Sequence, residues 1–200
     1  MAYTVLDAAK ARFPGYDDPA FNVLSRTRLD ARLCALLPVS RREDWPNHAN
    51  YAQGAEDLRA IHAAMLQNAA NVTHALAALA SGDVQATERA AVARRAHGIA
   101  RRVVDHLHVH HRIEDQRLFP QFARANPKIE RAIALLEADH KVLDAAANVF
   151  DQALRSYPAA EAGPAAYEHA ARTAEQLDRA MRRHIADEED IVIPAYLGLH

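Results

Sequence analysis

Apolar residues recur at steps of three and four positions along four long stretches of this chain, the spacing that places side chains on one face of an α-helix. In the clearest stretch, the same-face positions are Ile129, Ile133, Leu136, His140, Leu143, Ala147, Phe150 and Leu154. The four stretches run from about 54 to 80, 87 to 117, 127 to 156 and 164 to 198. Four long helices with short connections favour an antiparallel up-down four-helix bundle, in which successive helices are neighbours.

Turn-forming and capping residues mark the ends of these stretches. Ser81-Gly82-Asp83 ends the first helix, and Asn126-Pro127 opens the third by placing a capping side chain before a proline. Pro158 closes the third helix, and Gly163-Pro164 opens the fourth. The sequence therefore predicts four separate long helices.

The first fifty residues lack this long-range pattern. Residues 1–17 have no clear periodicity, whereas Asp18-Pro19 predicts the start of a helix that Pro38 must stop. Residues 38–50 are predicted to form a loop. We therefore predict an N-terminal helical arm and linker over residues 1–50, and a four-helix bundle over residues 51–200.

Composition agrees with an all-α fold and narrows the choice of partners. Half of the residues are hydrophobic and only six are glycine, a balance that favours helices. The 24 basic and 26 acidic residues nearly cancel, which gives no reason to expect a nucleic-acid or membrane partner. No apolar run approaches the roughly 18 residues of a membrane span, so we expect a cytoplasmic protein.

Six ionisable side chains interrupt the apolar faces of the four predicted helices. They are His62, His110, Glu114, His140, His184 and Glu188. Burial of such groups is unfavourable unless they are paired or bind a metal. A histidine and a glutamate four residues apart lie one turn apart on the same helix face. An imidazole and carboxylate set without thiolate suits iron, manganese or zinc, so we predict that these six residues form a metal site.

These residues belong to an internal repeat. His110-x-x-x-Glu114 is followed by Pro120 at the same distance as Pro194 follows His184-x-x-x-Glu188. A single histidine precedes each unit, 48 residues upstream in one case and 44 in the other. The repeat predicts two halves related by a pseudo-two-fold axis. Each half contributes two histidines and one carboxylate, and the carboxylates can bridge two metal ions.

The repeated units resemble those of a known family. The segments HHRIEDQRLFP at 110–120 and HIADEEDIVIP at 184–194 are similar to the His-x-x-x-Glu-Glu element and following proline of hemerythrin-like, or HHE cation-binding, domains. The resemblance covers about residues 54–196. It implies an up-down bundle that holds two iron ions, oxo- or hydroxo-bridged, with the six residues as ligands. It also implies binding or sensing of dioxygen, nitric oxide or peroxide, or iron handling under stress, in a monomer or homodimer.

The chain departs from the oxygen-carrying hemerythrins at two points. Their third helix carries His-x-x-x-His, whereas Asp144 stands four residues after His140. They also use an aspartate five residues after the last histidine, where this chain has Glu188 at four and Glu189 at five. Glu188 stays within about 40° of His184 on a helix, so it is preferred as the ligand. These departures favour a sensor, a stress protein or a peroxide-handling protein over an oxygen carrier.

Several alternatives stay open from the sequence. A ferritin-like or catalase-like di-iron oxidoreductase acting on peroxide is one, although the chain has a single Glu-x-x-His element, Glu137 to His140. A haem bundle or a metal-free polar network in an interaction module is another. Whether the protein is an enzyme is left undecided.

Five residues beside the predicted ligands have unassigned roles. His106 lies one turn before His110 and is either a spare ligand or an outer partner. His111 and Asp115 are predicted to face about 100° away from the core, as a solvent-side or interhelical pair. Asp115 and Glu189, together with Asp190, are expected to tune a ligand or to lie in water.

Overall fold

The computed structural model describes residues 4–35, 37, 41–156 and 163–198, and these residues contain helices and turns but no strand. The α-helices are α1 (Val5–Arg12), α2 (Ala31–Cys34), α3 (Ala55–Ser81), α4 (Ala86–Ile113), α5 (Phe119–Ala125), α6 (Glu130–Arg155) and α7 (Pro164–Leu197). Short 3₁₀ helices span Arg42–Asn47, Tyr51–Gln53 and Pro127–Ile129. The all-helical class predicted from the sequence is therefore confirmed, and none of the described helices is long and apolar enough to cross a membrane.

The four predicted long helices correspond to α3, α4, α6 and α7. The Asn126 side chain accepts a hydrogen bond from the Lys128 N–H at 3.3 Å, as expected for the capping residue before Pro127. Pro158, predicted to close the third helix, lies outside the described residues. All eight same-face positions of that helix are 4% exposed or less, so the apolar spacing identified a buried face correctly.

The second long helix differs from the prediction at its C-terminal end. Its α-helical hydrogen bonding ends at Ile113, and a π-helical turn, Glu114–Leu118, connects α4 to α5. In this turn the Phe119 N–H donates to the Glu114 carbonyl, five residues earlier. The wider turn immediately precedes Pro120, which lacks the N–H that an α-helix would use there.

The helix predicted from Pro19 to Pro38 is wrong over residues 19–30, and within the predicted range only α2 is helical among the described residues. Residues 14–29 form turns, and the Asp18 and Asn22 side chains accept hydrogen bonds from backbone N–H groups two residues further on, at 2.9 Å each. Such local bonds compete with helical hydrogen bonding, which explains the turns. The helices of this segment are instead α1, where no periodicity was evident, and the four-residue α2. Pro38 lies outside the described residues.

The chain divides into two compact units. The first unit comprises Met1–Ala63, His110–Val142 and Arg182–His200, and the second comprises Ala64–Val109 and Leu143–Met181. The largest buried side chains of the first unit are Tyr16, Trp45, Leu33, Phe119, Phe122, Ile129 and Leu135. Those of the second are Tyr167, Phe150, Leu76, Leu79 and Leu107. N-terminal residues thus share a core with residues of α5 and α6, while the division at residue 50 stays a prediction.

Candidate metal centre

All six predicted ligands lie in the first unit. They come from the C-terminal part of α4 and its π-turn, from α3, from α6 and from the second half of α7. Their exposures are His62 1%, His110 8%, Glu114 0%, His140 0%, His184 1% and Glu188 0%. The apolar stripes of these helices therefore carry the six groups away from solvent, and something must compensate for their burial.

The first cluster of candidate ligands consists of His62, His110, Glu114 and Glu188, whose nitrogen and oxygen atoms lie within 4.8 Å of one another. The Nε2 atoms of His62 and His110 are 3.2 Å apart. His110 Nε2 lies 3.0 Å from Glu114 Oε1, and His62 Nε2 lies 3.4 Å from Glu188 Oε2. One ion can reach all four side chains from a single position.

The second cluster consists of His111, His140 and His184, again with nitrogen atoms within 4.8 Å of one another. The Nε2 atoms of His140 and His184 are 3.2 Å apart. The ring of His111 stacks on that of His140, with centroids 3.9 Å apart and planes at 10°. The six predicted residues are therefore distributed between two histidine clusters, one of which also includes His111.

The two carboxylates connect these clusters. Glu114 places Oε1 at 3.0 Å from His110 Nε2 and Oε2 at 3.5 Å from His140 Nε2. Glu188 Oε2 lies 3.4 Å from His62 Nε2 and 3.6 Å from His184 Nε2. Each carboxylate thus lies beside one histidine of each cluster, which is the position a bridging ligand requires.

The four oxygens of these carboxylates are buried, and none accepts a hydrogen bond from the described residues. Burial, and then the neighbouring charge of Glu188, raises the pKa of Glu114. Burial acts in the same direction on Glu188, but the charges of His62, His184 and His110 hold its pKa below the ordinary value. Two buried carboxylates side by side fit a bound cation, which would offset the repulsion between their charges.

Three further carboxylates hold the outer nitrogens of the histidines. His140 Nδ1 lies 2.6 Å from Asp115, His184 Nδ1 lies 3.2 Å from Asp139, and His62 Nδ1 lies 3.4 Å from Glu189. A carboxylate accepts hydrogen bonds, so these Nδ1 atoms carry the proton. The Nε2 atoms are then directed toward the two clusters, as in histidines that bind metals.

The Nε2 atoms of His140 and His184 face each other in the second cluster, 3.2 Å apart. Burial, and then the charges of His111 and His184, lower the pKa of His140 well below its ordinary value, so its ring is neutral and has a nitrogen lone pair available to a metal. Two imidazoles on one metal, each at about 2.1 Å, accommodate such a separation. The residues present therefore fit a metal ion.

A buried network extends from the second cluster to the N-terminal segment. The Arg26 guanidinium donates to both carboxylate oxygens of Asp139, and its Nε donates to Asp187 at 2.7 Å. Tyr16 donates its hydroxyl to Asp139 at 2.6 Å. The side chains of Arg26 and Asp139 are 1% and 0% exposed. Burial opposes the ionisation of Asp139, but the bonds from Arg26 and His184 hold its pKa below the ordinary value.

Glu189, the carboxylate beside His62 Nδ1 in the first cluster, has partners that are more exposed than those of Asp139. Glu189 accepts from Arg42 Nη1 at 2.9 Å and lies 3.8 Å from Arg59 Nε. The side chains of Arg42 and Arg59 are 42% and 36% exposed. Glu189 therefore supports His62, while its own partners lie at the surface.

Other residues singled out by the sequence lie away from the two clusters. Asp144 belongs to the second unit, where its Oδ1 is 3.9 Å from His108 Nε2 and both side chains are 35% exposed. His106 is exposed and lines a surface pocket of the second unit with Met65 and Val103. Glu137 forms an ion pair with Arg12. Neither Asp144 nor His106 belongs to a cluster of candidate ligands among the described residues.

The prediction that His111 faces away from the core is wrong, because His111 is 2% exposed and joins the second cluster. Asp115 does form an interhelical hydrogen bond, as predicted, and its partner is His140. The buried arc of a helix spans about 100° or more, so a residue one position beyond the central stripe can still be buried. The histidine doublet His110-His111 is the sequence feature that indicates a second histidine near the site. No comparable feature indicates Arg26, because Arg26 lies in a segment without periodicity.

Comparison with known families supports the site. The sequence profile described as "Hemerythrin HHE cation binding domain" matches residues 53–196, well over half of the chain. Comparisons with curated proteins and with solved structures give no match. The matched span contains every member of both clusters and excludes the segment that carries Tyr16 and Arg26. On the strength of this match, the chain belongs to the hemerythrin HHE cation-binding family.

Proposed function

We propose that the protein is a non-haem di-iron protein that binds or senses dioxygen, nitric oxide or peroxide. In this proposal His62 and His110 bind one iron, His140 and His184 bind the other, and Glu114 and Glu188 bridge the two. We also propose that α3, α4, α6 and α7 adopt the antiparallel up-down order expected from the sequence. Location in the cytoplasm and a monomeric or dimeric state stay predictions.

The observation that carries the proposal is the convergence of two buried carboxylates and four histidine Nε2 atoms. Each of Glu114 and Glu188 lies beside one histidine of each cluster, and the Nε2 atoms of His140 and His184 face each other at 3.2 Å. Such a buried set of donor atoms is stabilised by a bound cation. The donor set contains imidazole and carboxylate but no thiolate, which suits iron, manganese or zinc. Membership of a cation-binding family agrees with this donor set, and iron is the metal that best serves dioxygen, nitric oxide or peroxide.

Bound iron would supply an open coordination position and a change of oxidation state for a small ligand. The protein's own contribution is to hold the imidazoles and exclude water. Asp115, Asp139 and Glu189 fix three Nδ1 protons, which keeps the Nε2 atoms available to metal. The near-complete burial of the six side chains keeps bulk water from the site. This arrangement supports binding of a small, uncharged or singly charged molecule.

A peroxide-consuming di-iron oxidoreductase is the less favoured alternative. The single Glu-x-x-His element does not direct both residues to the site, because the Glu137 carboxylate pairs with Arg12 while His140 lies in the second cluster. Simple oxygen carriage is also less favoured. The residue that would supply a second histidine from α6 is Asp144, which lies beside His108.

Metal analysis of the purified protein tests the proposal. We expect about two irons per chain and charge-transfer absorption in the near ultraviolet. His110→Ala and His184→Ala should each lower the iron content, because each removes a donor from one cluster. His106→Ala is the matched control, since His106 lies near His110 in sequence but outside both clusters. A protein that takes up no iron and whose melting temperature does not change when iron is added would contradict the proposal.

The small ligand is tested on the iron-loaded protein. We expect nitric oxide or peroxide to change the charge-transfer bands, with little release of dioxygen from peroxide. Sustained release of dioxygen would instead support the oxidoreductase alternative.

A further inference from the structure

We propose that His111 is a ligand of the metal held by His140 and His184. The inference rests on the proposed function, since it assigns a further residue to the same centre. It gives the second cluster three imidazoles, while the first cluster has two. No sequence pattern used above predicted this role for His111.

The position of His111 carries the proposal. Its side chain is 2% exposed, and its candidate donor nitrogen lies within 4.8 Å of those of both His140 and His184. Its ring centroid is 3.9 Å from that of His140 and 5.7 Å from that of His184. His111 is therefore in contact with both histidines that we assign to this metal. Because an imidazole lone pair lies in the plane of its ring, the stacked rings of His111 and His140 must tilt apart for both nitrogens to bind one ion.

The electrostatics of the three rings point in the same direction. Three imidazoles packed together without solvent cannot all be protonated, because their like charges would repel one another. A metal ion is the one partner that uses several neutral imidazoles together, since each contributes a lone pair. The proposal itself depends on the geometry of the cluster.

The position of Asp144 identifies α4, rather than α6, as the source of the further donor. If α6 supplied a second ligand one turn after His140, it would be Asp144. Asp144 instead lies in the second unit beside His108, with 35% of its side chain exposed. His111, next to the predicted ligand His110, is thus the third nitrogen donor that the first unit places in this cluster.

The competing explanation is that His111 only stacks on His140. Stacking needs an aromatic ring but no nitrogen, whereas coordination needs the nitrogen. His111→Phe separates these roles, because it keeps the ring and removes the donor. His108→Phe is the matched control: it makes the same change three residues earlier, at a partly exposed histidine of the second unit.

The experiment is a titration of each full-length, metal-free protein with Co²⁺, followed by visible absorption and by metal analysis after gel filtration. We expect the wild-type protein and His108→Phe to bind about two ions per chain. His111→Phe should bind one ion as before and the second at least about tenfold more weakly, with altered visible bands. Iron content should likewise be similar in the wild-type protein and His108→Phe and lower in His111→Phe.

The outcomes distinguish this inference from the proposed function. If the wild-type protein binds neither Co²⁺ nor iron, the di-iron proposal fails. If it binds two ions, and His111→Phe binds both with unchanged affinity and spectrum, only the assignment of His111 is overturned. Circular dichroism of the metal-free variants checks their folding. Should His111→Phe not fold, His111→Gln, which fits the space with a poorer donor, must show the same selective weakening.

Discussion

The two histidine clusters come from one repeated sequence unit, yet their outer partners have very different surroundings. His62 is supported by Glu189, whose partners Arg42 and Arg59 are 42% and 36% exposed. His184 is supported by Asp139, which pairs with Arg26 where the two side chains are 0% and 1% exposed. The repeat in the sequence therefore does not extend to the environment of its histidines.

This difference separates two kinds of ion pair. Exposed pairs contribute little to stability, because water and salt screen the charges. In a buried pair the loss of one partner leaves an uncompensated charge, which is strongly destabilising. The second cluster thus depends on Tyr16 and Arg26, which lie outside the span matched by the family profile. The N-terminal segment is part of the support of the candidate metal centre.

Arg26→Met should have the largest effect, because it leaves the buried Asp139 carboxylate without its arginine, whereas Asp187 keeps Arg183 as a partner. We expect a loss of about 3 to 5 kcal/mol in the free energy of unfolding of the metal-free protein, measured with denaturant. Iron content should also fall, since Asp139 holds His184. Arg41→Met is a control at an arginine that is 70% exposed and pairs with Glu43 and Asp44. If Arg26→Met lowers the free energy of unfolding no more than Arg41→Met does, the proposed difference between buried and exposed ion pairs is contradicted.

Acid should destabilise the metal-free protein through both clusters. Burial lowers the pKa of His110 to about 3 and that of His140 well below its ordinary value. The unfolded chain binds these protons near pH 6.5, whereas the folded protein does not. The stability linked to the two neutral rings is therefore complete above about pH 6.5 and is lost as the pH falls toward 3.

Denaturation of the metal-free protein at a series of pH values measures this dependence. We expect the free energy of unfolding to decrease as the pH is lowered from 6.5, and the decrease to be smaller in His110→Phe, which has no such group to protonate. An identical pH dependence in the wild-type protein and His110→Phe would show that His110 does not contribute.

Asp115→Asn should affect metal affinity more than the equivalent change Glu189→Gln. Asp115 lies 2.6 Å from His140 Nδ1, whereas Glu189 lies 3.4 Å from His62 Nδ1. Loss of such an outer partner weakens metal binding by about 10- to 100-fold. We expect the shorter bond to give a value in the upper part of that range. Competition with a chelator measures the metal affinity of each variant. Equal losses of affinity in Asp115→Asn and Glu189→Gln would argue against a difference in how the two clusters are supported.

Tyr16→Phe tests the buried network without removing a charge. The hydroxyl donates to Asp139 at 2.6 Å and accepts from the Val23 N–H at 3.2 Å. Its removal should lower the free energy of unfolding by about 1 to 3 kcal/mol, less than Arg26→Met, because Arg26 still neutralises Asp139. Tyr51→Phe, at a partly buried hydroxyl that accepts from Arg59, is the comparison and should have a smaller effect.

Much of the fold and of the candidate site followed from periodicity. Residues at steps of three and four share a helix face, so the burial of His62, His140 and His184 could be expected once the stripes were drawn. Their role as metal ligands stays a prediction. Periodicity alone does not predict the burial of His111, because the buried face of α4 is wider than its central apolar stripe.

The outer network could not be derived in the same way. Arg26 and Asp139 are 113 residues apart in the chain, and Arg26 lies among turns where no period restricts its position. A side chain placed by tertiary contacts alone leaves no local signal in the sequence. The helix predicted from Pro19 to Pro38 failed for a related reason, since the local bonds of Asp18 and Asn22 favour turns over the proline signal.

Arg42→Met should have the smallest effect and completes the comparison with Arg26. Glu189 keeps Arg59 at 3.8 Å, and water can solvate the carboxylate where Arg42 is lost. We expect Arg42→Met to lower the free energy of unfolding by at most about 1 kcal/mol, and by less at high salt, where exposed charges are screened. Denaturation of Arg42→Met and of Arg26→Met at low and at high salt measures these losses. Because the buried pair is shielded from ions, its loss should change little with salt; equal salt dependence for both variants would mean that the two clusters are supported in the same way.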